Sequence, residues 1–388
     1  MSAGGQPDAR LRRARAYLAC VAEPPAPALG RLVTEHGPVR AAELVRDGRD
    51  GVVPDVVAAE TRARRDRVAA GTELDRAAAA GIRLLIPEDE DWPAWPLLSL
   101  EVAAGRGVAG MVVPLALWVR GEVALSETTG ERAVTVVGAR AATGYGEHTA
   151  ADWAYTLAGE GTTVLSGAAY GVDAAAHRGA LAADGCTIAV LGCGIDAGYP
   201  AGHDVLLRRI AEQGAVLSEY PPRTPPARHR FLVRNRLLAA LSAGTVVVEA
   251  DLRSGARNTA STAAELGKVV MAVPGPVTSR MSRGCHELVR SSGATLVASA
   301  GEVAESVGVI TVESDARAVG QERELDRLSG EAGRLYDALE PRQGRSVAQL
   351  AAASGIPEGT ARAVLCELEL EGLSLRCEEG WKRGRSAR

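Results

Sequence analysis

Seven short, nearly uninterrupted apolar runs, separated by helix-length segments, limit most tightly what this chain can fold into. They are 133–137 (AVTVV), 162–166 (TTVLS), 187–192 (TIAVLG), 215–219 (AVLSE), 245–250 (TVVVEA), 269–275 (VVMAVPG) and 294–299 (ATLVAS). Between them lie helix-like segments at 147–160, 173–184, 203–213, 232–243, 257–267 and 283–291. A strand that is apolar throughout needs cover on both sheet faces, and crossovers of this length return the chain parallel to itself. The pattern predicts an α/β fold, an extended Rossmann-like parallel sheet wound on both sides. The stretch from IRLLIPEDEDWPAWPLLSL to LALWVRGE predicts extra strands at one edge.

The flanks have a different texture. Residues 1–80 read as an N-terminal helical domain, with two helices joined by a proline-rich turn near its start. The sheet domain occupies 81–310, and the polar, charged stretch 311–330 suits a linker. Residues 331–388 form a compact unit: a helix ending at Pro341, a second helix, a Gly-Ile-Pro turn, a third helix from Glu358 and a hairpin closing at Trp381. That is the order of a winged helix-turn-helix. Its last helix carries Arg362 but also Glu367, Glu369 and Glu371, which would repel DNA, so a protein-docking or accessory role is favoured for this unit.

In an open α/β sheet ligands bind at the carboxyl ends of the strands, and the unusual segments of the middle region fall there. After the first run comes Gly138-Ala139-Arg140, with Thr143-Gly144-Tyr145-Gly146 opening a helix. Glycine lets the backbone approach a ligand, and a helix N-terminus offers free N–H groups to a phosphate. Ser166-Gly167 follows the second run, with Asp173 as an N-cap candidate, and Ser254-Gly255 follows the fifth. Glu219 and Glu249 end strands at the same edge, each as a general base or as a partner for amides or an arginine. Neither the P-loop nor the dinucleotide glycine spacing is present.

The run Arg223–Arg236 (RTPPARHRFLVRNR) holds five arginines, His229 and Phe231, the one phenylalanine of the chain, and no acid lies between Glu219 and Glu249. Guanidinium groups neutralise phosphates, and a ring beside them offers a stacking face to an unpaired base. The alternative is a solvated turn with Phe231 as a core anchor. The net charge of -4 argues against wholesale coating of nucleic acid and leaves room for a polarised surface.

The six cysteines are scattered, without C-x-x-C pairs or zinc-like spacing, which suggests a reducing cytoplasm. The N-terminus makes a poor signal peptide, and no run of apolar residues is long enough to predict a membrane span. No catalytic triad, paired carboxylates or metal cluster is evident, so no cofactor or metal is expected, while Glu219 and Glu249 leave a catalytic role open.

These segments in this order resemble the DNA-processing protein A family (DprA, also called Smf). The matching blocks are VVGARAATGYG, LSGAAYGVDAAAHRGAL, AVLGCGIDAGYP, SEYPPRTPPARHRFLVRNRLLAALS, VVVEADLRSGARNTASTAAELGK and VPGPVTSRMSRGCHELVR, within residues 81–310. The resemblance implies a SAM- or helix-hairpin-helix-like N-terminal region and a winged-helix-like tail. It also implies a cytoplasmic homodimer, not an enzyme, that binds single-stranded DNA, protects it and loads the recombinase RecA, notably in natural transformation. The family's G-S/T-R loop falls on Gly138, Ala139 and Arg140, its S-G turn on Ser166 and Gly167, and its F-P-x-R-N-R block on Phe231, Leu232, Val233, Arg234, Asn235 and Arg236. Arg228 matches a basic position three before the aromatic. Alanine at 139 removes a hydroxyl contact, leucine at 232 replaces a proline that would stiffen a turn, and Tyr170 stands where the family has a basic residue. Arg140, Arg228, Arg234 and Arg236 are thus the expected phosphate contacts, with Phe231 as the stacking ring. The rival is a nucleotide-processing Rossmann enzyme of the phosphoribohydrolase type, whose P-G-G-x-G-T-x-x-E turn is absent from SGARNTASTAAE.

Overall fold

The computed structural model describes residues 8–49, 51–308, 328 and 330–384, so the linker expected at 311–330 lies almost entirely outside the described residues. Contacts divide the chain into two compact units, Met1–Val312 and Glu313–Arg388.

The first unit opens with helices α1 (Ala9–Val21), α2 (Pro27–His36), α3 (Pro38–Asp47), α4 (Asp55–Thr61) and α5 (Ala70–Ala79). Asp8 caps α1 by accepting from the Arg10 amide, and prolines take the first positions of α2 and α3, where no intrahelical N–H is needed. Strand β1 (Arg83–Leu85), α6 (Ala94–Gly105), β2 (Leu117–Arg120) and α7 (Leu125–Thr128) follow. The alternating series then runs β3 (Gly130–Val137), α8 (Gly144–Gly159), β4 (Thr163–Ser166), α9 (Val172–Ala182), β5 (Thr187–Leu191), α10 (Asp204–Gln213), β6 (Ala215–Ser218), α11 (Arg228–Ala240) and β7 (Ser242–Val247). It ends with α12 (Gly255–Glu265), β8 (Val269–Ala272), α13 (Arg283–Ser292), β9 (Thr295–Leu296) and α14 (Ala300–Ser306).

All nine strands form one sheet in the order β1-β2-β6-β5-β4-β3-β7-β8-β9. Strands β3 to β9 run parallel, whereas β1 and β2 add an antiparallel edge beside β6, as the sequence predicts. From β3 the chain winds one way through β4, β5 and β6, then returns to lay β7, β8 and β9 on the other side. The winding reverses between β3 and β7, which is where such sheets open a crevice at their carboxyl ends.

Val134, Val136 and Val246 pack under α8 through Trp153 and Leu157, while Leu165, Ile188 and Val190 pack under α11 through Leu237 and Leu238. The N-terminal helices share a core with one end of the sheet: Tyr17, Leu18 and Leu29 belong to the same buried cluster as Trp118, Leu191 and Val216. Two elements differ from expectation. β9 keeps only two residues, both exposed, because it is the last strand at its edge. Helix α11 begins at Arg228 rather than at 232, so most of the basic run is helical and Leu232 lies inside a helix, where it loosens no turn.

The second unit contains α15 (Gly330–Ala338), α16 (Val347–Ser354), α17 (Glu358–Leu370) and an antiparallel hairpin, β10 (Ser374–Cys377) with β11 (Gly380–Arg383). A capping box between Ser346 and Gln349 starts α16, and Leu335, Leu350, Leu365 and Trp381 form the core. This is a winged helix-turn-helix, with Glu367 and Glu369 exposed on its last helix.

Candidate nucleic-acid interface

A cleft of about 820 Å³ opens at the reversal point, lined by the turns after β3 and β7 and by one face of α11. The turn after β3 is held from below. Glu249 accepts from the Thr143 amide at 2.8 Å and from its hydroxyl at 2.7 Å, and the Thr143 Oγ1 in turn caps α8 by accepting from the Gly146 amide. Glu249 is buried and fully engaged, so of its two readings from sequence the structure gives the amide-binding one. Gly138, Ala139 and Arg140 line the cleft mouth, with Arg140 exposed. Its guanidinium stands 5.3 Å from the centre of the Phe231 ring, and Phe231 lies 5.2 Å from the Tyr199 ring. On the far wall Ser254 and Gly255 open α12, Ser254 capping it through the Arg257 amide, and Arg253 extends beside them into solvent.

The turn after β4 forms the floor of this surface, where Ala169 and Asp173 reach the cleft lining. Ser166 is wholly buried and donates its hydroxyl to the Val136 carbonyl at 2.6 Å. The Gly167 and Ala169 amides donate to Asp173 Oδ2 at 3.2 and 3.4 Å. Asp173 therefore ties the turn down rather than capping α9, whose N-cap is Gly171. Burial pushes the Asp173 carboxyl above its usual range, opposed by the nearby Arg234 charge. Gly171 sits at φ 75°, and a Cβ there would stand 2.3 Å from the Ala139 carbonyl oxygen, so the two turns interlock only with glycine at this position. Ser166 and Gly167, expected to touch the ligand, are corrected to the cleft floor, because their polar groups are consumed by Val136, Asp173 and Arg234.

The basic run divides in the same way. On α11, Arg228, Phe231, Leu232 and Asn235 all line the cleft, at the i, i+3, i+4, i+7 spacing of one helix face. Arg236 points away from it. It is 3% exposed and donates to both Glu219 oxygens at 2.8 and 2.7 Å, and to the Val112 carbonyl at 3.0 Å. Arg236 is thus corrected from phosphate contact to buried ion pair, and of the two readings of Glu219 the structure gives the arginine partner. Arg234 borders the cleft but is 6% exposed, with Nη1 donating to the carbonyls of Gly167 and Val190 and Nε to Asn235 Oδ1. Arg223 and Arg230 pair with Glu73 at 3.1 Å and with Glu23 at 2.6 Å, both from the N-terminal helices. The acids missing from the run are supplied from elsewhere in the chain. Among the described residues Arg228 is the one arginine of the run that is exposed and without an ion pair.

Sequence reasoning did not single out Arg253, Tyr199 or Asn258. Asn258 accepts from Asn235 Nδ2 at 3.0 Å and joins α12 to α11 across the cleft. Arg253 had a usable signal, since it directly precedes the Ser254-Gly255 turn at the end of a central strand. Phe231 lines the cleft with its ring among Gly192, Tyr199 and the Arg140 guanidinium, half-buried and outside the apolar clusters, so the core-anchor reading does not describe it. Among the described residues no group of histidines, cysteines and carboxylates is arranged to hold a metal, and no helix is long and apolar enough to cross a membrane.

Comparison with known proteins places this geometry. A family model described as DNA recombination-mediator protein A matches residues 83–308, and one described as DprA winged helix domain matches 320–380. The chain is 47% identical over 372 residues to the putative DNA processing protein DprA of Mycobacterium tuberculosis (strain H37Rv), covering 95% of this chain and 94% of that one. It is 42% identical over 195 residues to protein Smf of Escherichia coli (strain K12), covering 50% and 51% of the two chains. The X-ray structure of DprA from Streptococcus pneumoniae matches with a TM-score of 0.61 at 28% identity, over 77% of this chain and 98% of that one. With its parallel sheet and its winged unit both matched, the chain belongs to the DNA recombination-mediator protein A (DprA) family.

Proposed function

We propose that this chain binds single-stranded DNA in the cleft between β3 and β7, shields it and passes it to the recombinase RecA in DNA recombination and natural transformation. One observation carries the reading. Three exposed arginines without ion-pair partners among the described residues, Arg140, Arg228 and Arg253, surround a pair of aromatic rings at the ligand edge of the sheet. Phosphates of a strand meet the arginines and the α8 and α12 N-termini, while an unstacked base lies on Phe231. Duplex DNA keeps its bases stacked and cannot use the ring.

A homodimer acting in the cytoplasm and handing the strand to RecA accords with a family described as a recombination mediator. Fluorescence anisotropy with labelled single-stranded and duplex oligonucleotides tests the first step. The expected result is tighter single-strand binding, little sequence preference and a steep fall with salt as counterions are released. Equal affinity for duplex at moderate salt would remove the reading. RecA assembly on a strand precoated with single-strand-binding protein, with and without this chain, tests the handover.

A further inference from the structure

Two arginine-rich segments far apart in sequence meet beside the cleft. Arg228, His229 and Arg230 are consecutive at the start of α11. Arg228 faces the cleft, while His229 Nε2 and Arg230 Nε lie 3.1 and 2.6 Å from Glu23 Oε1 at the end of the α1 region. Glu23 also pairs with Arg64, from the turn segment between α4 and α5. A second carboxylate, Glu73, holds Arg76 at 2.7 Å and Arg223 at 3.1 Å. Two carboxylates thus hold four arginines and a histidine, which leaves excess positive charge. Burial raises the Glu23 carboxyl, but hydrogen bonds from Arg230, Arg64 and His229 outweigh it and bring it down to about 2, so Glu23 stays ionised and the count holds at neutral pH. Arg62 and Arg67 flank Arg64, are exposed and have no ion pair among the described residues. Of the nearby acids, Asp66 pairs with Arg65, while Asp196 accepts from the Arg223 amide and keeps its negative charge, which lowers the excess by one without removing it.

Resting on the reading of the cleft as a single-strand site, we propose that the strand leaves the cleft at Arg228 and continues over this second basic surface, where the N-terminal helical region grips further phosphates. The ligand class is a phosphodiester backbone, because excess guanidinium groups with little aromatic surface neutralise charge without reading bases. The surface starts where the cleft ends, so one strand reaches both. The N-terminal helices then lengthen the binding site and are more than cover for the sheet.

The test compares an oligothymidylate of about 6 nucleotides with one of about 20, within the range of single-strand site sizes. The variant combines Arg62→Gln, Arg67→Gln and Arg223→Asn, none of which lines the cleft. Arg223 sits at φ 64°, a conformation that asparagine tolerates. The longer oligomer is expected to bind about tenfold more weakly, with its salt slope reduced by about 0.7 for each lost contact. Binding of the shorter one is expected to be unchanged. The pair Arg62→Gln, Arg67→Gln, which breaks none of the ion pairs described, should give a smaller effect of the same kind. A variant that binds both oligomers as tightly as the wild type, or loses both equally, overturns the proposal. A wild-type chain that binds only the longer oligomer, and loses it in the variant, leaves the surface standing and removes the cleft.

Discussion

Arg236 and Arg140 belong to neighbouring family motifs and sit in opposite worlds. Arg236, behind the cleft wall, is gripped on both sides of its fork by Glu219 and shut off from water. Arg140, on the rim, is exposed and has a ring beside its guanidinium. The floor as a whole repeats the first case. Ser166, Asp173 and Arg234 are buried, and they bind backbone groups of β3, β5 and the turn after β4. The rim, made of Arg140, Arg228, Arg253 and Phe231, is left open. Polar residues in the floor shape the turns, and those on the rim are free to meet a ligand. Floor variants should therefore cost stability, and rim variants should cost affinity.

The largest effect is expected at Arg236→Ala. Removing one partner of a buried ion pair strands the other charge, a loss of about 3–5 kcal/mol. Denaturant unfolding of the variant should show it. A fully stable variant with weakened DNA binding would erase the distinction between floor and rim.

Next is the pH response of the sheet domain through His177, buried on α9. Burial drives His177 from 6.5 down to about 3. Thr187 Oγ1 donates to the Val164 carbonyl, so it accepts from His177 Nδ1, and the ring is neutral when folded. The unfolded chain takes up a proton below pH 6.5 that the folded chain refuses, so stability is full above 6.5 and falls as the pH drops towards 3. By pH 5 the loss is about 2 kcal/mol. Melting curves between pH 7 and 5 should show this slope in the wild type and a flatter one in His177→Gln.

On the rim, Phe231→Ala should weaken single-strand binding by about 1–3 kcal/mol, the range for a lost base stack, with little change in melting temperature. A large fall in stability with normal affinity would move Phe231 to the floor. The smallest effect is expected at Arg140→Ala or Arg253→Ala: a modest loss of affinity, a salt slope lower by about 0.7, and an unchanged melting curve. A change in melting at either position would show that the rim also supports the fold.

The parallel sheet was legible because buried strands write themselves as continuous apolar runs. The two edge strands were legible from position, as they precede the alternating series. The turns at the carboxyl ends were legible as glycine clusters after strands. What could not be seen was which polar side chain each turn consumes. Ser166 and Arg236 have no local mark of burial, since Val136 and Glu219 reach them through folding. The helix face of Arg228, Phe231, Leu232 and Asn235 was readable from spacing once the helix began at Arg228, and that start was placed four residues late. Arg253 was passed over because a single arginine in a turn looks like any other surface charge.

The shared core of the N-terminal helices and the sheet bears on how this chain tolerates trimming. Tyr17, Leu18 and Leu29 share one buried cluster with Trp118, Leu191 and Val216, all with almost no exposure. A polypeptide starting at residue 81 would present that apolar surface to water and free Arg230 from Glu23 at the same stroke. Such a fragment is expected to self-associate, and poor DNA binding by it would report a bared seam in the fold together with any lost contacts, so point variants and not trimming separate the two.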